Sequence, residues 1–213
     1  MLPNQIIDRT KGIRKSTFFE GTGVVAHASF GDPFTNPLID FLETHIRTAL
    51  QGKGVKLHTG KCIICMEGPQ FSTRAESLMY RAWGGDLINM SVLPEAKLAR
   101  EAELGYAPPS LSPTQCSYIV CSYALVATAT DYDSWRPHTS SVTASEVFKT
   151  LKQNADTSRH VAAYVLEELV KAEYEKLLGV EEGGMKYSIM PASGAGEEEE
   201  GKKKLRYILP GYF

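Results

Sequence analysis

Two aspartates separated by one residue, Asp131 and Asp133, could act together as binding or catalytic groups in this 213-residue chain. They follow Tyr123–Thr130, which reads as a buried strand, so both side chains would share one face at the edge where α/β proteins bind ligands. An ionised carboxylate accepts hydrogen bonds from an amino group. Asp is also a common turn former after strands, so the pair alone supports a binding site and a plain turn equally.

A loop with an aromatic ring and a hydroxyl, Glu67–Ser72, follows the predicted strand Lys61–Met66. Its Gly-Pro step would present Phe71 for stacking on a flat ring and Ser72 for a hydrogen bond to the edge of that ring. The alternative is a loop whose Phe71 is only a core residue.

A third cluster, Asn89-Met90-Ser91, ends a short predicted strand over Asp86–Met90 and precedes a helix that Pro94 opens. A small hydroxyl and backbone N–H groups at a helix start favour an anion. Met90, taken by itself, is more typical of a core position than of a ligand contact.

The cysteines do not indicate a metal or redox site. Cys62 and Cys65 form a C-x-x-C on a predicted strand, where side chains three apart point to opposite faces. We therefore expect free core cysteines. Cys116 and Cys121 do not complete a second pair, and the five histidines are scattered, so neither a metal nor a cofactor is expected.

Strands alternating with helices predict an α/β fold with three layers, α/β/α, and a mixed central sheet, in a single domain over residues 1–213. Asn36-Pro37 signals a helix start with Asn36 as the cap, and Thr143 with Glu146 forms a capping box for a long helix to about Leu178. Further expected elements are a strand ending at Gln5–Asp8, a strand at Val55–His58, a helix burying Ala75, Leu78, Met79, Ala82 and Trp83, and a helix burying Ala96, Leu98, Ala99 and Ala102.

Two stretches interrupt this pattern. Ala107–Cys121 carries three prolines without periodicity and is long for a helix-to-strand connection. Ala192–Lys204 is low-complexity and charged, which predicts a disordered, solvated loop. The apolar Tyr207–Pro210 after it is expected to dock back onto the body.

The composition is that of an ordinary soluble globular protein, with 43% hydrophobic and 23% charged residues. A net charge of −2 gives no global attraction to nucleic acid or to a membrane surface. Without an apolar run of membrane-spanning length or a secretory signal at the start, we expect a cytoplasmic location, with the nucleus as a second one.

Together the clusters resemble one family. Met66–Tyr106 (MEGPQFSTRAESLMYRAWGGDLINMSVLPEAKLAREAELGY) and Ala127–Trp135 (ATATDYDSW) are similar to the methylthioadenosine phosphorylases of the trimeric purine nucleoside phosphorylase superfamily. Asn4–Thr10, His27–Phe34 and the fungal-looking ending KKKLRYILPGYF fit the same family.

The resemblance implies a reaction in which phosphate, as co-substrate, attacks C1′ of methylthioadenosine and adenine leaves. It implies that Asp131 serves N7 of the base as the catalytic residue and that Asp133 helps to hold the 6-amino group. It gives further substrate contacts to Phe71, Ser72, Met90, Tyr132, Ala144, Val147 and Ile208, and a phosphate contact to Ser91. His27 would reach the site of a neighbouring subunit in a homotrimer.

The same resemblance bears on base choice. The branch that cleaves 6-oxopurine nucleosides has Glu, Asn and His at the positions matching Ser72, Asp131 and Ala144. Because an ionised carboxylate accepts from an amino group and repels a 6-oxo group, Asp131 favours the 6-aminopurine. Ala144 keeps the 5′ pocket apolar, as a thioether needs.

The sequence also departs from the family. The front portion, with its Gly-rich phosphate loop, an Arg-His pair and a Thr-Ala segment, has no counterpart, so only Ser91 represents the phosphate site. Ala107–Cys121 resembles a translated intron. We interpret both anomalies as an incomplete gene model of a phosphorylase, with a short paralogue as the alternative. The competing functions are a catalytically inactive nucleoside-binding fragment or trimer-partner modulator, and a phosphorylase for 6-oxopurines.

Overall fold

The computed structural model describes residues 1–103, 123–136, 143–172, 185–191, 199–210 and 212–213, so the predicted insert Ala107–Cys121 lies outside it. Its elements are β1 (Leu2–Asp8), β2 (Val24–Ala26), α1 (Asn36–Ala49), β3 (Thr59–Cys65), α2 (Arg74–Ala82), β4 (Leu87–Asn89), α3 (Val92–Glu101), α4 (Ala144–Lys171), β5 (Ile189–Pro191) and α5 (Glu199–Ile208). In the described segments no helix is long and apolar enough to cross a membrane. The alternation of strands and helices confirms the α/β class.

A three-stranded parallel sheet in the order β1-β3-β4 forms the centre of the fold. Its strands end in one row, because Asp8 pairs with Cys65 and Cys65 pairs with Asn89. The chain therefore leaves three neighbouring strands at the same edge. Each of the loops that begin there carries residues of the predicted site or contacts them.

Antiparallel pairing occurs in a separate sheet, where β2 pairs with β5. The sequence predicted a mixed central sheet, whereas each described strand of that sheet runs parallel to its neighbour. The connections explain this difference. The chain crosses from β1 to β3 through α1 and from β3 to β4 through α2, and helical crossovers join parallel strands.

Strand β3 is covered on both faces, which gives the layered arrangement. Ile63 and Cys65 belong to the main hydrophobic cluster, to which α1 and α4 contribute. Ile64 points to the opposite face and is also fully buried, and there it lies against Gly85 just after α2. Cys62 and Cys65 are free thiols, and Cys65 is buried in the core as expected, whereas Cys62 is only half-buried.

Two predicted strands are absent. The strand at Val55–His58 is wrong, because β3 begins only at Thr59. The buried strand at Tyr123–Thr130 is also wrong, since its residues are half-buried or exposed and have no strand assignment. Ala127 exchanges backbone hydrogen bonds with Met1, at 2.6 and 2.9 Å, and the Tyr123 carbonyl accepts one from Thr35 at 3.0 Å. Such isolated bonds do not make a ladder.

The helix signals were largely correct. Helix α1 begins at Asn36, although Thr35 rather than Asn36 is its cap. The capping box of Thr143 and Glu146 at the start of α4 is confirmed. Helix α4 ends at Lys171, because its C-cap residue Ala172 has an extended backbone, so the prediction of one helix to about Leu178 is wrong at Ala172. Residues 173–184 lie outside the described part of the chain.

The charged C-terminal segment is helical in part. Glu199–Lys204 lies within α5, so the predicted disordered loop is wrong there, while residues 192–198 lie outside the described part. Leu205 and Leu209 are buried with Phe19 in a second hydrophobic cluster. This burial explains the helix, because an apolar face in a charged segment is stabilised by docking, and it confirms that the end of the chain returns to the body.

Gly201 allows α5 to approach the chain closely. A Cβ at this position would lie only 2.8 Å from the Cα of Thr22 and would also overlap with its carbonyl oxygen. We expect Gly201→Ala to destabilise the fold by about 1–3 kcal/mol, because backbone atoms cannot rotate away as side chains can. Urea unfolding measures the change. Gly31→Ala is the matched control, since a Cβ there meets nothing within 4 Å, and equal stabilities for the two variants would contradict the packing.

Candidate functional site

A buried carboxylate joins the loops that follow β1 and β3. The Glu67 side chain is 3% exposed. It accepts hydrogen bonds from the backbone N–H groups of Lys11 at 2.6 Å, Ile13 at 3.1 Å and Arg14 at 3.0 Å. These N–H groups lower the pKa of Glu67, and the N–H of Arg14 has the largest effect. Together they outweigh burial, which raises the pKa. An ionised Glu67 therefore fixes the loop after β1 against the start of the Glu67–Ser72 loop.

Arg14 extends this connection to the loop after β4. Its guanidinium lies 3.9 Å from the Glu67 carboxylate and donates a hydrogen bond of 2.6 Å to the Met90 carbonyl oxygen. Gly68 packs closely against the same residue, because a Cβ at Gly68 would overlap with the terminal methyl of Met90. All three strand-end loops are thus connected through Glu67, Arg14 and Met90, which we call the three-loop contact.

The structure turns the Ser72 hydroxyl inward. Ser72 is buried, its hydroxyl lies 3.3 Å from the Met66 sulfur, and its carbonyl accepts a 3.1 Å hydrogen bond from the Ser134 hydroxyl. Phe71 beside it is 46% exposed, so its ring is available to a ligand rather than placed in the core. The roles of both residues toward a substrate stay predictions.

The start of α3 is less open to an anion than its sequence suggests. The Asn89 side-chain oxygen accepts from the backbone N–H of Ser91 at 2.8 Å and of Val92 at 2.6 Å. The N–H of Leu93 donates to the Cys65 sulfur. Ser91 is exposed, and its hydroxyl lies 3.4 Å from the same Asn89 oxygen. The first backbone donors of this helix therefore have partners within the chain, and the Ser91 hydroxyl is the group that could turn to phosphate.

The two aspartates have different surroundings. Asp133 is half-buried and accepts a hydrogen bond from the hydroxyl of Ser77 on α2. Asp131 is exposed and accepts from the hydroxyl of the adjacent Thr130. Because no strand precedes them, the two-residue spacing does not by itself align the carboxylates. The exposed Asp131 can reach a ligand while Asp133 is held against the helix.

Helix α2 presents its polar face to this segment. Arg74 donates to the carbonyl of Arg136 at 3.1 Å, and the Arg81 guanidinium lies 3.7 Å from the ring centre of Trp135. With Ser77 these residues follow helical spacing on one side of α2. The rings of Tyr132 and Trp135 contact each other edge to face, with 6.1 Å between the ring centres.

This orientation overturns the predicted apolar face of α2. Ala75, Leu78, Ala82 and Trp83 are exposed, and the buried residues are Ser77 and Tyr80. The hydrogen bonds to the 133–136 segment favour the polar side, because leaving the half-buried Asp133 carboxylate without a donor costs more than exposing an alanine. The spacing of Arg74, Ser77 and Arg81 was the signal that could have identified the contact face.

The remaining predicted site residues lie on other elements. Ala144 is exposed at the first turn of α4, and Val147 one turn later is half-buried. Ile208 packs against the second hydrophobic cluster. The exposed His27 follows β2 and donates its backbone N–H to Ser188 at 2.9 Å. Among the described residues, no hydrogen bond or ring contact joins these four to the segment around Asp133.

Comparisons with known proteins identify the family of this chain. The profile of the Phosphorylase superfamily matches residues 1–171, and the chain belongs to that superfamily. Within it, the chain is 53% identical to S-methyl-5′-thioadenosine phosphorylase of Coprinopsis cinerea, over 100% of this chain and 66% of that protein. It is 46% identical to the enzyme of the same name from Tuber melanosporum, over 100% of this chain and 64% of that protein.

A solved structure confirms the fold. Methylthioadenosine phosphorylase from an antarctic soil metagenomic library superposes with a TM-score of 0.74 at 31% identity, over 98% of this chain and 64% of that chain. The chain thus spans less than two thirds of the length of each of these relatives.

Proposed function

We propose that this chain binds an adenine nucleoside with an apolar 5′ group at the shared edge of β1, β3 and β4. With phosphate as co-substrate and no other cofactor, it supports phosphorolysis of S-methyl-5′-thioadenosine in purine and methionine salvage. The observation that carries the proposal is the three-loop contact, which holds the Phe71-Ser72 loop and Met90 together at the edge where α/β sheets bind ligands.

The proposed reaction is a displacement at C1′ of the ribose. A phosphate oxygen forms a bond to C1′ while the bond between C1′ and N9 breaks, and its electron pair leaves with adenine. The base departs more easily when N7 gains a proton or a hydrogen bond. We give this role to Asp131 in its carboxylic acid form, which has a proton to donate to N7. The products are adenine and 5-methylthioribose 1-phosphate.

Base recognition follows from the acceptor character of the Asp133 carboxylate. Asp133 accepts one hydrogen bond from Ser77, and an ionised carboxylate has a second oxygen that can accept from a 6-amino group. A 6-oxo group offers only lone pairs to it. The exposed Phe71 ring suits stacking on the purine.

We also propose a homotrimer in which the exposed His27 reaches a neighbouring site, and a cytoplasmic location with a nuclear pool. Neither nucleic acid nor a membrane is a proposed partner. The exposed position of His27 after β2 supports the proposed homotrimer. Chromatography with light scattering would measure the mass of the assembly, and a monomer would contradict it.

The test is phosphorolysis by this full chain. Adenine released from S-methyl-5′-thioadenosine is measured by chromatography with and without inorganic phosphate. Release that requires phosphate supports the enzyme, and its absence contradicts catalysis by this chain. Faster turnover of inosine or guanosine would instead support a 6-oxopurine phosphorylase.

A second candidate is a nucleoside-binding chain that does not cleave, alone or as a modulator of a longer partner. The engaged backbone donors at Ser91, Val92 and Leu93 favour it, because they leave one hydroxyl for a phosphate dianion. Calorimetry separates the two candidates. Adenine binding without phosphate-dependent release supports the second, and no adenine binding contradicts both.

Gly68 provides a test of the loop geometry. We expect Gly68→Ala to cost about 1–2 kcal/mol of stability, because a side chain is strained at its φ of +70°. It should also weaken adenine binding, because the new methyl must displace the end of Met90. Calorimetry and urea unfolding measure the two effects.

The matched control for this variant is Gly60→Ala. Gly60 has a similar φ of +62°, but a Cβ there meets nothing within 4 Å. We expect a comparable loss of stability with unchanged adenine affinity. If both variants bind adenine as the wild type does, the contact between Gly68 and Met90 does not shape the site.

A further inference from the structure

A buried hydroxyl of α2 contacts one of the base-reading carboxylates directly. Ser77 is 1% exposed and donates its hydroxyl to Oδ2 of Asp133. Arg74 and Arg81, on the same side of the helix, contact the carbonyl of Arg136 and the ring of Trp135. Three consecutive anchors thus hold the 133–136 segment on α2, and Ser77 is the one that reaches a carboxylate.

We infer that Ser77 is a positioning residue that sets base preference through Asp133, an inference that rests on the proposed function. With Oδ2 engaged by the hydroxyl, Oδ1 is the oxygen that accepts from a 6-amino group. The same bond prevents the carboxylate from turning away from a 6-oxo group. Ser77 thereby strengthens adenine binding and penalises hypoxanthine, although it touches neither base.

The placement of Ser77 supports this role. It lies in the middle of α2, whose start is already fixed by the capping box of Thr73 and Glu76, so its hydroxyl is not needed to begin the helix. Serine is also only an average helix former. A buried hydroxyl aimed at a carboxylate holds that carboxylate in one orientation, and fixed orientation is what discriminates between donor and acceptor groups on a ligand.

The experiment compares the wild type with Ser77→Ala by calorimetry, using adenine and hypoxanthine as ligands of the full chain. We expect adenine affinity to fall roughly tenfold, as the loss of a hydrogen bond to a charged group predicts. Hypoxanthine affinity should stay constant or rise, because the freed carboxylate can turn away. Leu78→Ala is the matched control on the exposed side of α2, and neither affinity should change in it.

Each outcome decides between the two proposals. If the wild type does not bind adenine, the proposed function fails and the inference fails with it. If the wild type binds adenine and Ser77→Ala keeps the wild-type ratio of the two affinities, the inference is overturned while the function stands. An equal loss for both bases shows a merely structural role and overturns it as well. Should Ser77→Ala not fold, Ser77→Cys keeps the size of the side chain with a weaker donor and is judged by the same ratio.

Discussion

Asp131→Asn should lower phosphate-dependent release of adenine from S-methyl-5′-thioadenosine roughly a hundredfold or more, the range that a positioned acid or base contributes. The amide is close to the carboxylate in size, so packing is retained. The amide cannot exchange a proton with N7 in the pH range in which a carboxyl group does. The exposed position of Asp131, with the Thr130 hydroxyl as its partner, leaves it free to meet the base.

The same substitution should shift base preference toward 6-oxopurines. An amide NH₂ donates to a 6-oxo group that the carboxylate repels, so the ratio of methylthioadenosine to inosine turnover should fall. Initial rates on both nucleosides measure this ratio. Asp156→Asn, at an exposed aspartate paired with Arg159 on the surface of α4, is the control. An unchanged ratio in Asp131→Asn would remove Asp131 from base recognition.

The parts of the fold predicted correctly are those that local sequence determines. The capping box of Thr143 and Glu146 stabilises a helix start with groups three residues apart. The apolar run in β3 is buried because both faces of a central parallel strand are covered. Tyr123–Thr130 has the same apolar character, but its described backbone hydrogen bonds to other segments are isolated ones, from Thr35 to Tyr123 and between Ala127 and Met1. A strand depends on its partner, and strand-forming composition does not supply one.

The candidate site also has a part that local sequence predicts and a part that it does not. Its loops were predictable, because each follows a strand and parallel strands end at one edge. The groups that organise those loops were not. Glu67 is bonded to backbone N–H groups more than fifty positions earlier, and Ser77 to a carboxylate 56 positions later. Periodicity describes a segment relative to itself, so it carries no information about such distant partners.

Glu67→Ala should reduce turnover of methylthioadenosine roughly a hundredfold, although Glu67 is not a proposed substrate contact. The change leaves three N–H groups without their acceptor and leaves Arg14 without its carboxylate. Arg14 then loses the support that directs it to the Met90 carbonyl, and a misplacement of about 1 Å near reacting groups can cost that much. Glu20→Ala is the control, because its partner Lys15 and its own side chain are exposed. Equal turnover in the two variants would contradict the organising role.

The charge of Glu67 also predicts a pH dependence of stability. Its pKa in the folded protein is lowered from the ordinary value of 4.5, chiefly by the backbone N–H of Arg14. A lowered folded pKa stabilises the protein above the ordinary value, and that contribution is lost as the pH falls from about 5 through the folded pKa. The melting temperature of the wild type should therefore exceed that of Glu67→Gln at pH 7, and the difference should shrink toward pH 3.

Comparing the wild type with Glu67→Gln isolates this effect from other acid-sensitive groups. Asp8 has a lowered pKa too, because hydrogen bonds from Lys97 and Thr10 outweigh its burial. The wild type will therefore lose stability in acid for more than one reason, but Glu67→Gln shares the loss from Asp8. A difference in melting temperature that is constant from pH 7 to pH 3 would mean that shape, not charge, makes Glu67 the centre of the three-loop contact. A difference that vanishes in acid would assign that role to the ionised carboxylate.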